Sequence, residues 1–68
     1  MVDIVEGQCF SYQFGEERKN YFFTGIVEDG RMIMCEMVPP SELTPTSLWK
    51  MSERFFKQSQ EEGKLQLM

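Results

Sequence analysis

The pattern of hydrophobic and polar residues predicts a strand near the start of the chain. From Gln8 to Phe14 an aromatic residue stands at every second position, which is the period of a half-buried strand. The polar run 15–20 follows and begins with a glycine, so we interpret it as the exposed connection of a hairpin. The chain is therefore expected to turn back on itself after its first strand.

Two more strands are predicted on either side of a strong turn signal. Residues 21–28 are rich in aromatic and β-branched side chains, which favour strands. Residues 29–30 are Asp-Gly, a pair typical of a two-residue hairpin turn. A third strand should then occupy residues 31–38, because the two prolines at 39–40 cannot donate to a sheet ladder.

A two-residue turn sets the register of this second hairpin and sorts its side chains onto two faces. The expected pairs are Glu28 with Arg31, Val27 with Met32, Ile26 with Ile33, Thr24 with Cys35, and Phe22 with Met37. One face then carries Phe22, Thr24, Ile26, Ile33, Cys35 and Met37. The other carries Tyr21, Phe23, Gly25, Val27, Met32, Met34, Glu36 and Val38. Both faces are largely apolar, so we expect either a strongly curled sheet covered by a helix or a sheet covered by a second subunit.

An amphipathic helix is predicted in the last third of the chain. Thr44 is a favourable N-cap, Pro45 suits the first helical position, and Gly63 is a typical C-terminal stop. The apolar residues between them recur at helical spacing, opposite a charged face. These apolar residues are Leu48, Trp49, Met51, Phe55 and Phe56. An alternative remains open, in which residues 47–51 form a short strand and Ser52 caps a shorter helix.

The predicted fold class is α+β, with residues 1–68 as one domain. The sheet is expected to be antiparallel and strongly curved, with three or four strands, and to pack against the C-terminal helix as in an SH3-like or similar small barrel. The alternating residues 64–68 could supply the closing strand. A chain of 68 residues buries a small core, and partners often supply the missing burial in domains of this size.

Charge and residue types exclude several classes of function. The net charge of −4 is the wrong sign for a domain that neutralises phosphates. The chain has no histidine, so it lacks the commonest general base and metal ligand, and no cofactor motif is present. We therefore expect a protein that is not an enzyme and that binds neither a cofactor nor a metal.

The cysteines and the first residues suggest a cytoplasmic location. Cys9 and Cys35 lie in apolar segments without the paired spacing of a zinc or redox motif, so we interpret them as reduced thiols. A disulfide between them remains open if their strands are neighbours. The start of the chain has no basic stretch followed by an apolar run, so we expect no signal peptide. No segment approaches the roughly 20 apolar residues of a membrane span.

The leading functional prediction is an accessory or inhibitory binding protein that forms a homodimer through an apolar sheet face. Methionine-rich apolar surface that a small chain cannot cover is typical of an interface. The candidate interface residues are Tyr21, Phe23, Met32, Met34, Glu36, Val38 and Trp49. For the methionines and for Trp49 the competing interpretation is ordinary core packing. The acidic chain would favour a protein partner with a basic patch.

Two other functions stay open at this level. Aromatic residues near basic ones could stack the bases of single-stranded nucleic acid. The candidate contacts are Tyr12, Arg18, Lys19, Tyr21 and Arg31. A ligand-binding or catalytic pocket at a subunit interface could instead use Phe23, Met34 and Glu36 if the carboxylate were desolvated. The plainer interpretation of Glu36 is an outward-facing charge on an edge strand, which discourages aggregation.

Overall fold

A five-stranded antiparallel sheet and one helix make up the fold, in a computed structural model that describes residues 4–68. The predicted domain boundary at residue 1 falls outside this range. The strands are β1 (Cys9–Phe14), β2 (Glu17–Glu28), β3 (Arg31–Glu36), β4 (Leu48–Ser52) and β5 (Leu65–Leu67), and the helix is α1 (Glu53–Glu61). Two short 3-10 turns, Pro40–Glu42 and Pro45–Ser47, lie between β3 and β4. The predicted α+β class is confirmed.

The strands lie in the order β4-β3-β2-β1-β5, so β4 and β5 are the two edges of the sheet. Pairing between β4 and β5 would close a barrel, and the described part of the chain shows none. The SH3-like barrel and its strong curvature are therefore not confirmed. The predicted closing strand at the C-terminus does form, as β5 pairing with β1, and β4 brings the number of strands to five where three or four were expected.

The first hairpin turns earlier than predicted. Residues Phe14 and Glu17 face each other across the turn, so β2 already begins at Glu17, and most of the polar run assigned to a loop is strand. Arg18 explains why this run can be extended. Its Nη1 donates to the Ser11 hydroxyl at 2.6 Å and its Nε donates to the Gln13 Oε1 at 3.1 Å. Polar side chains of two strands thus satisfy one another across the ladder, with the buried Ser11 hydroxyl bonded to the exposed Arg18.

The second hairpin has the predicted turn but only part of the predicted register. Glu28 faces Arg31 as expected, whereas Phe22 faces Cys35 instead of Met37. The cause is an irregularity between Phe23 and Val27 that adds two residues to β2. A shift of two residues leaves the paired side chains on either side of the irregularity on their predicted faces, because the side-chain period of a strand is also two.

Gly25 makes this irregularity possible. Its φ is +87°, a conformation that costs other residues about 1–2 kcal/mol. The Thr24 hydroxyl donates to the carbonyl oxygen of Ile33 at 2.8 Å and accepts from the backbone N–H of Ile26 at 3.3 Å. The bulge therefore replaces lost ladder hydrogen bonds with a side-chain hydroxyl, as is common where one strand bends.

The helix is half the predicted length, and the alternative interpretation of its first turns is correct. Residues 48–52 form β4, which pairs with β3 by setting Met51 opposite Met32 and Trp49 opposite Met34. Helix α1 begins after Ser52, whose hydroxyl accepts from the backbone N–H of Phe55 at 3.1 Å. The apolar residues of this segment serve a strand as well as a helix, and pairing with the methionines of β3 decides between the two.

One face of the sheet holds the hydrophobic core, and we call it the core face. The fully buried side chains there include Phe10 of β1, Met34 of β3 and Phe56 of α1. The Phe56 ring meets the Phe10 ring edge-on at 5.8 Å between centroids. The other core residues are Tyr12, Tyr21, Phe23, Met32, Met51 and Leu65. Helix α1 therefore covers this face, while the opposite face, which we call the reverse face, is left without a helix.

Candidate interaction surfaces

Most of the predicted interface lies inside the core of a single chain. Tyr21, Phe23, Met32 and Met34 are at most 7% exposed. The remaining three, Glu36, Val38 and Trp49, are half-buried, and Trp49 packs against the core. The predicted apolar hairpin face is real, but helix α1 and strand β4 cover it. It is therefore not an open contact surface in the folded chain.

Aromatic rings join distant strands over the core face. The Trp49 ring on β4 lies 5.0 Å from the Tyr12 ring, 5.6 Å from the Phe14 ring and 5.4 Å from the Tyr21 ring, measured between centroids. Strands β2 and β3 separate β4 from β1, so these rings tie one side of the sheet to the other. Such aromatic pairs stabilise a core beyond their buried area. Phe55 of α1 adds a partly exposed ring 5.7 Å from Trp49.

Glu36 is not the outward-facing charge of an edge strand. Strand β3 lies between β2 and β4, and Glu36 pairs with the buried Tyr21. Burial raises the pKa of the Tyr21 hydroxyl above its ordinary value, and the neighbouring carboxylates of Glu36 and Glu17 raise it further. The edge-strand interpretation is therefore wrong, because β4 pairs with β3 on its outer side. The leading sequence prediction assigns the residues of β4 to the helix.

The predicted nucleic-acid contacts do not form one surface. Tyr12 and Tyr21 are in the core, and Arg18 lies on the reverse face, bonded to its strand neighbours. Lys19 lies over the Phe14 ring, 5.9 Å from its centroid, at the other side of the sheet. Arg31 stands at the far end of the second hairpin. Stacked bases and phosphates could not reach all five residues together.

The predicted pocket around Glu36 is also filled, because Phe23 and Met34 pack in the core.

The two thiols are unpaired. Cys9 and Cys35 both face Phe22, one from each side of β2. Two strand spacings separate them by roughly 10 Å, which is more than the ~7 Å limit between the Cα atoms of a disulfide. The open question of a disulfide is thus answered by the topology, since β2 lies between the two strands.

The reverse face carries a continuous row of apolar side chains across four strands. Direct pairing joins Leu48 to Cys35, Cys35 to Phe22, and Phe22 to Cys9. We call these four residues the apolar row. Leu48 is 53% exposed and Cys35 is 8% exposed, whereas Phe22 and Cys9 are half-buried. Sequence reasoning placed Phe22 and Cys35 on one face but missed Leu48, which it assigned to the helix.

A groove of about 310 Å³ opens beside the apolar row. Cys35 and Leu48 form its sheet side, and the β3–β4 connection forms its other side. The lining residues from that connection are Leu43, Thr44, Pro45 and Ser47. Ser47 is held in place by its hydroxyl, which accepts from the Thr44 backbone N–H at 3.1 Å. The groove has no charged lining residue, so it suits an apolar side chain.

Charges on the reverse face differ in sign from the charge of the whole chain. The strand register places three cations there, Arg18, Arg31 and Lys50, with one carboxylate, Glu28. Lys50 Nζ and Glu28 Oε1 are 3.4 Å apart, and both side chains are more than half exposed. Since the net charge of the chain is −4, the acidic groups concentrate elsewhere, including the side that carries α1.

Several other features of residues 4–68 bear on function. No helix among them has the length and apolar character needed to cross a membrane. In the same range, no group of three or more His, Cys, Asp or Glu side chains is placed to hold a metal ion. Comparison of the chain with known proteins finds no matching family model, no similar curated protein and no similar solved structure. The surfaces themselves therefore have to supply any functional inference.

Proposed function

We propose that this chain is a non-enzymatic protein-interaction module that self-associates through its reverse face. The observation that supports the proposal is the apolar row, which crosses the sheet on the side that helix α1 leaves uncovered. Leu48 is the exposed member of the row, and Phe22 and Cys9 are half-buried. Contiguous apolar surface that the chain leaves uncovered is a common mark of an interface. The proposal keeps the predicted homodimer and moves its contact from the core face to the reverse face.

The broad side of the chain is comparable in size with one side of a standard dimer interface. The chain measures 33 × 30 × 18 Å, so its broad side projects about 1,000 Å², compared with the roughly 800 Å² that each partner buries in a standard interface. Polar side chains surround the apolar row toward one end of the sheet, among them Ser11, Asn20 and Gln66. An apolar centre with a polar rim is the common anatomy of protein interfaces.

Among the charges beside the apolar row, Arg18 and Glu28 select one orientation for a second copy. Arg18 lies four residues before Phe22 on β2, and Glu28 lies four ladder positions beyond it, opposite Arg31. A two-fold axis along the row would set Arg18 of one copy over Glu28 of the other. The row itself would then meet the same row, so that apolar residues face apolar residues, as an isologous contact requires.

Assembled in this way, the dimer presents its helix-bearing sides to solvent. These sides carry acidic residues such as Glu53, Glu61 and Glu62, which would suit a basic patch on a protein partner. An accessory or inhibitory role, in the cytoplasm that the unpaired thiols suggest, is part of the proposal. Catalysis is not part of the proposal.

Light scattering across a concentration series tests the dimer. We expect a mass near twice 8.0 kDa for the unaltered chain and a mass near 8.0 kDa for Leu48→Lys, because a lysine in the apolar row would bury a charge at the contact. Leu67→Lys is the matched control. Leu67 is 46% exposed and also lies on an edge strand, but it pairs with Phe10 and so belongs to the core face.

Two kinds of result would contradict the proposed dimer. A dimer that survives Leu48→Lys, or one that Leu67→Lys disrupts equally, would move the contact away from the reverse face. A monomer at every concentration would overturn self-association. Circular dichroism on both variants checks that each is folded, and Phe22→Ser provides a second probe of the apolar row if Leu48→Lys does not fold.

A further inference from the structure

Strand β4 offers free backbone groups along one side. It pairs with β3 on its inner side and forms an edge of the sheet on its outer side. The backbone N–H of Leu48 donates to the Pro45 carbonyl oxygen, and among residues 4–68 no backbone hydrogen bond outside the sheet occupies residues 49–51. An edge strand in this state presents unpaired N–H and C=O groups on every second residue, and these can pair with an additional strand.

A cleft of about 310 Å³ follows this free edge. Its core-face side is aromatic, because Trp49 points toward that face and the partly exposed Phe55 of α1 stands beside it. Met51 completes this part of the lining. A residue bound alongside β4 and pointing toward the core face would therefore meet apolar surface.

The other side of the same edge is basic. Lys50 and Arg31 line the cleft and point toward the reverse face. Arg31 is exposed and forms no ion pair among residues 4–68. Lys50 forms an ion pair with the exposed Glu28, with 3.4 Å between Nζ and Oε1. The cleft lining contains no carboxylate. A residue pointing toward the reverse face would therefore be favoured if it were acidic.

We propose that the β4 edge binds an extended segment of a partner protein by strand addition, and that this segment alternates apolar and acidic residues. Successive residues of a strand point to opposite faces, so one set would reach Trp49 and Phe55 while the other reached Lys50 and Arg31. Main-chain hydrogen bonds supply affinity in this type of recognition, and alternate side chains supply specificity. The site adjoins the proposed dimer contact, because Lys50 and Arg31 lie on the reverse face, but strand addition does not depend on dimerisation.

A second copy of β4 is a poor occupant of this site. Lys50 is the middle residue of β4, so antiparallel pairing of two β4 strands about their centre would set Lys50 opposite Lys50. Like charges directly opposite each other destabilise a strand pair. The charges of the edge therefore select a segment of different, acidic sequence.

Fluorescence anisotropy with labelled nine-residue peptides tests the proposal on the full chain. The probes are a peptide of alternating valine and glutamate, the same peptide with lysine in place of glutamate, and the glutamate peptide N-methylated at alternate backbone nitrogens. We expect the glutamate peptide to bind at least ten-fold more tightly than the lysine peptide. The N-methylated peptide is made in two versions, one for each set of alternate backbone nitrogens. At least one version should not bind, because N-methylation removes the N–H groups that donate to the β4 edge.

Charge reversal on the chain provides the matched control. Lys50→Glu should weaken binding of the glutamate peptide at least ten-fold, and Lys64→Glu should leave it unchanged. Lys64 is similarly exposed and is also paired with a glutamate, Glu62, but it lies away from the cleft. Arg31→Glu gives the same test through a second residue if Lys50→Glu does not fold.

Three results would overturn the proposal. Equal affinity for the glutamate and lysine peptides would remove the charge selection. Binding that both N-methylated versions retain would show side-chain contact without strand addition. No binding of any peptide at millimolar concentration would show that the β4 edge is merely protected by Lys50, as lysines protect many edge strands.

Discussion

The two faces of the sheet are built from the same strands but differ in how far their side chains are covered by the rest of the chain. On β3, Met34 points to the core face and is fully buried, while the adjacent Cys35 points to the reverse face. On β4, Met51 is 1% exposed and Leu48, on the other face, is 53% exposed. In each of these pairs the two residues are similarly apolar. What separates the core face from the reverse face here is the position of helix α1.

The comparison shows why apolar character alone predicts an interface poorly. The sequence pattern made both hairpin faces candidates, and the more methionine-rich one became the core. A helix covers only one face of a sheet, so a second apolar face in a chain of this size has to be covered by loops, left partly exposed or covered by a partner. In this chain the β3–β4 connection covers part of it and leaves the groove beside Leu48 open.

Truncating one phenylalanine on each face is the strongest way to test this difference. Phe56→Ala should cost about 3–5 kcal/mol, as large truncations in cores do, because the side chain is 1% exposed and packs against Phe10. Phe22→Ala on the reverse face should cost less than half of that, since Phe22 is only half-buried. Urea denaturation at a concentration where the chain is monomeric measures both.

Equal losses of unfolding free energy in the two variants would mean that the reverse face is as well packed as the core face. A loss of about 3–5 kcal/mol is comparable with the total stability expected of a domain this small. If Phe56→Ala is unfolded without denaturant, the result sets a lower limit that still ranks the two faces.

The bulge in β2 offers a test of intermediate size. Gly25→Ala should destabilise the fold by about 1–2 kcal/mol for the positive φ alone. A β-carbon at this position would also lie 2.6 Å from the Oε1 of Glu6 and 2.9 Å from its Cγ, which adds to the cost. Thermal unfolding of the variant measures the sum of the two contributions.

The same substitution in a Glu6→Ala background separates these contributions. Removing Oε1 and Cγ of Glu6 should recover most of the part due to crowding, since only the β-carbon at 3.0 Å remains, and should leave the part due to the backbone. Full recovery would show that the bulge can accept an L-residue, and then the register shift would not depend on glycine.

The smallest expected effect is a pH dependence confined to the core face. The pKa of Tyr21 is raised by burial first, and then by Glu36 and Glu17. Below about pH 10 the hydroxyl is protonated in both the folded and the unfolded chain, so it does not alter stability. Above that pH the unfolded chain loses the proton first, so stability falls as pH rises.

Tyr21→Phe removes this loss, because phenylalanine has no proton to release. Urea denaturation at about pH 8 and pH 10.5 should show a smaller decrease in unfolding free energy for the variant than for the unaltered chain. An identical decrease in both proteins would show that the Tyr21 hydroxyl ionises as easily in the folded chain as in water.

Local patterns predicted most of the elements but not the surfaces they create. The alternation in β1, the Asp-Gly turn at residues 29–30 and the C-terminal strand β5 were all predictable, because each depends on neighbours in sequence. Residues 48–52 were ambiguous, since their apolar spacing fits a strand and a helix. The β4 edge and its cleft could not be predicted for the same reason. They form only when residues 48–52 adopt a strand instead of a helix.

The sequence by itself determined which side chains share a face, because the strand period of two is a local property that survives even the two-residue shift at Gly25. Only the tertiary structure decided which face became the core and which strand became an edge. Those choices depend on where α1 packs and on the pairing of β4 with β3, contacts between residues that are distant in sequence. The free energy of such contacts comes from packing complementary surfaces, which no local pattern encodes.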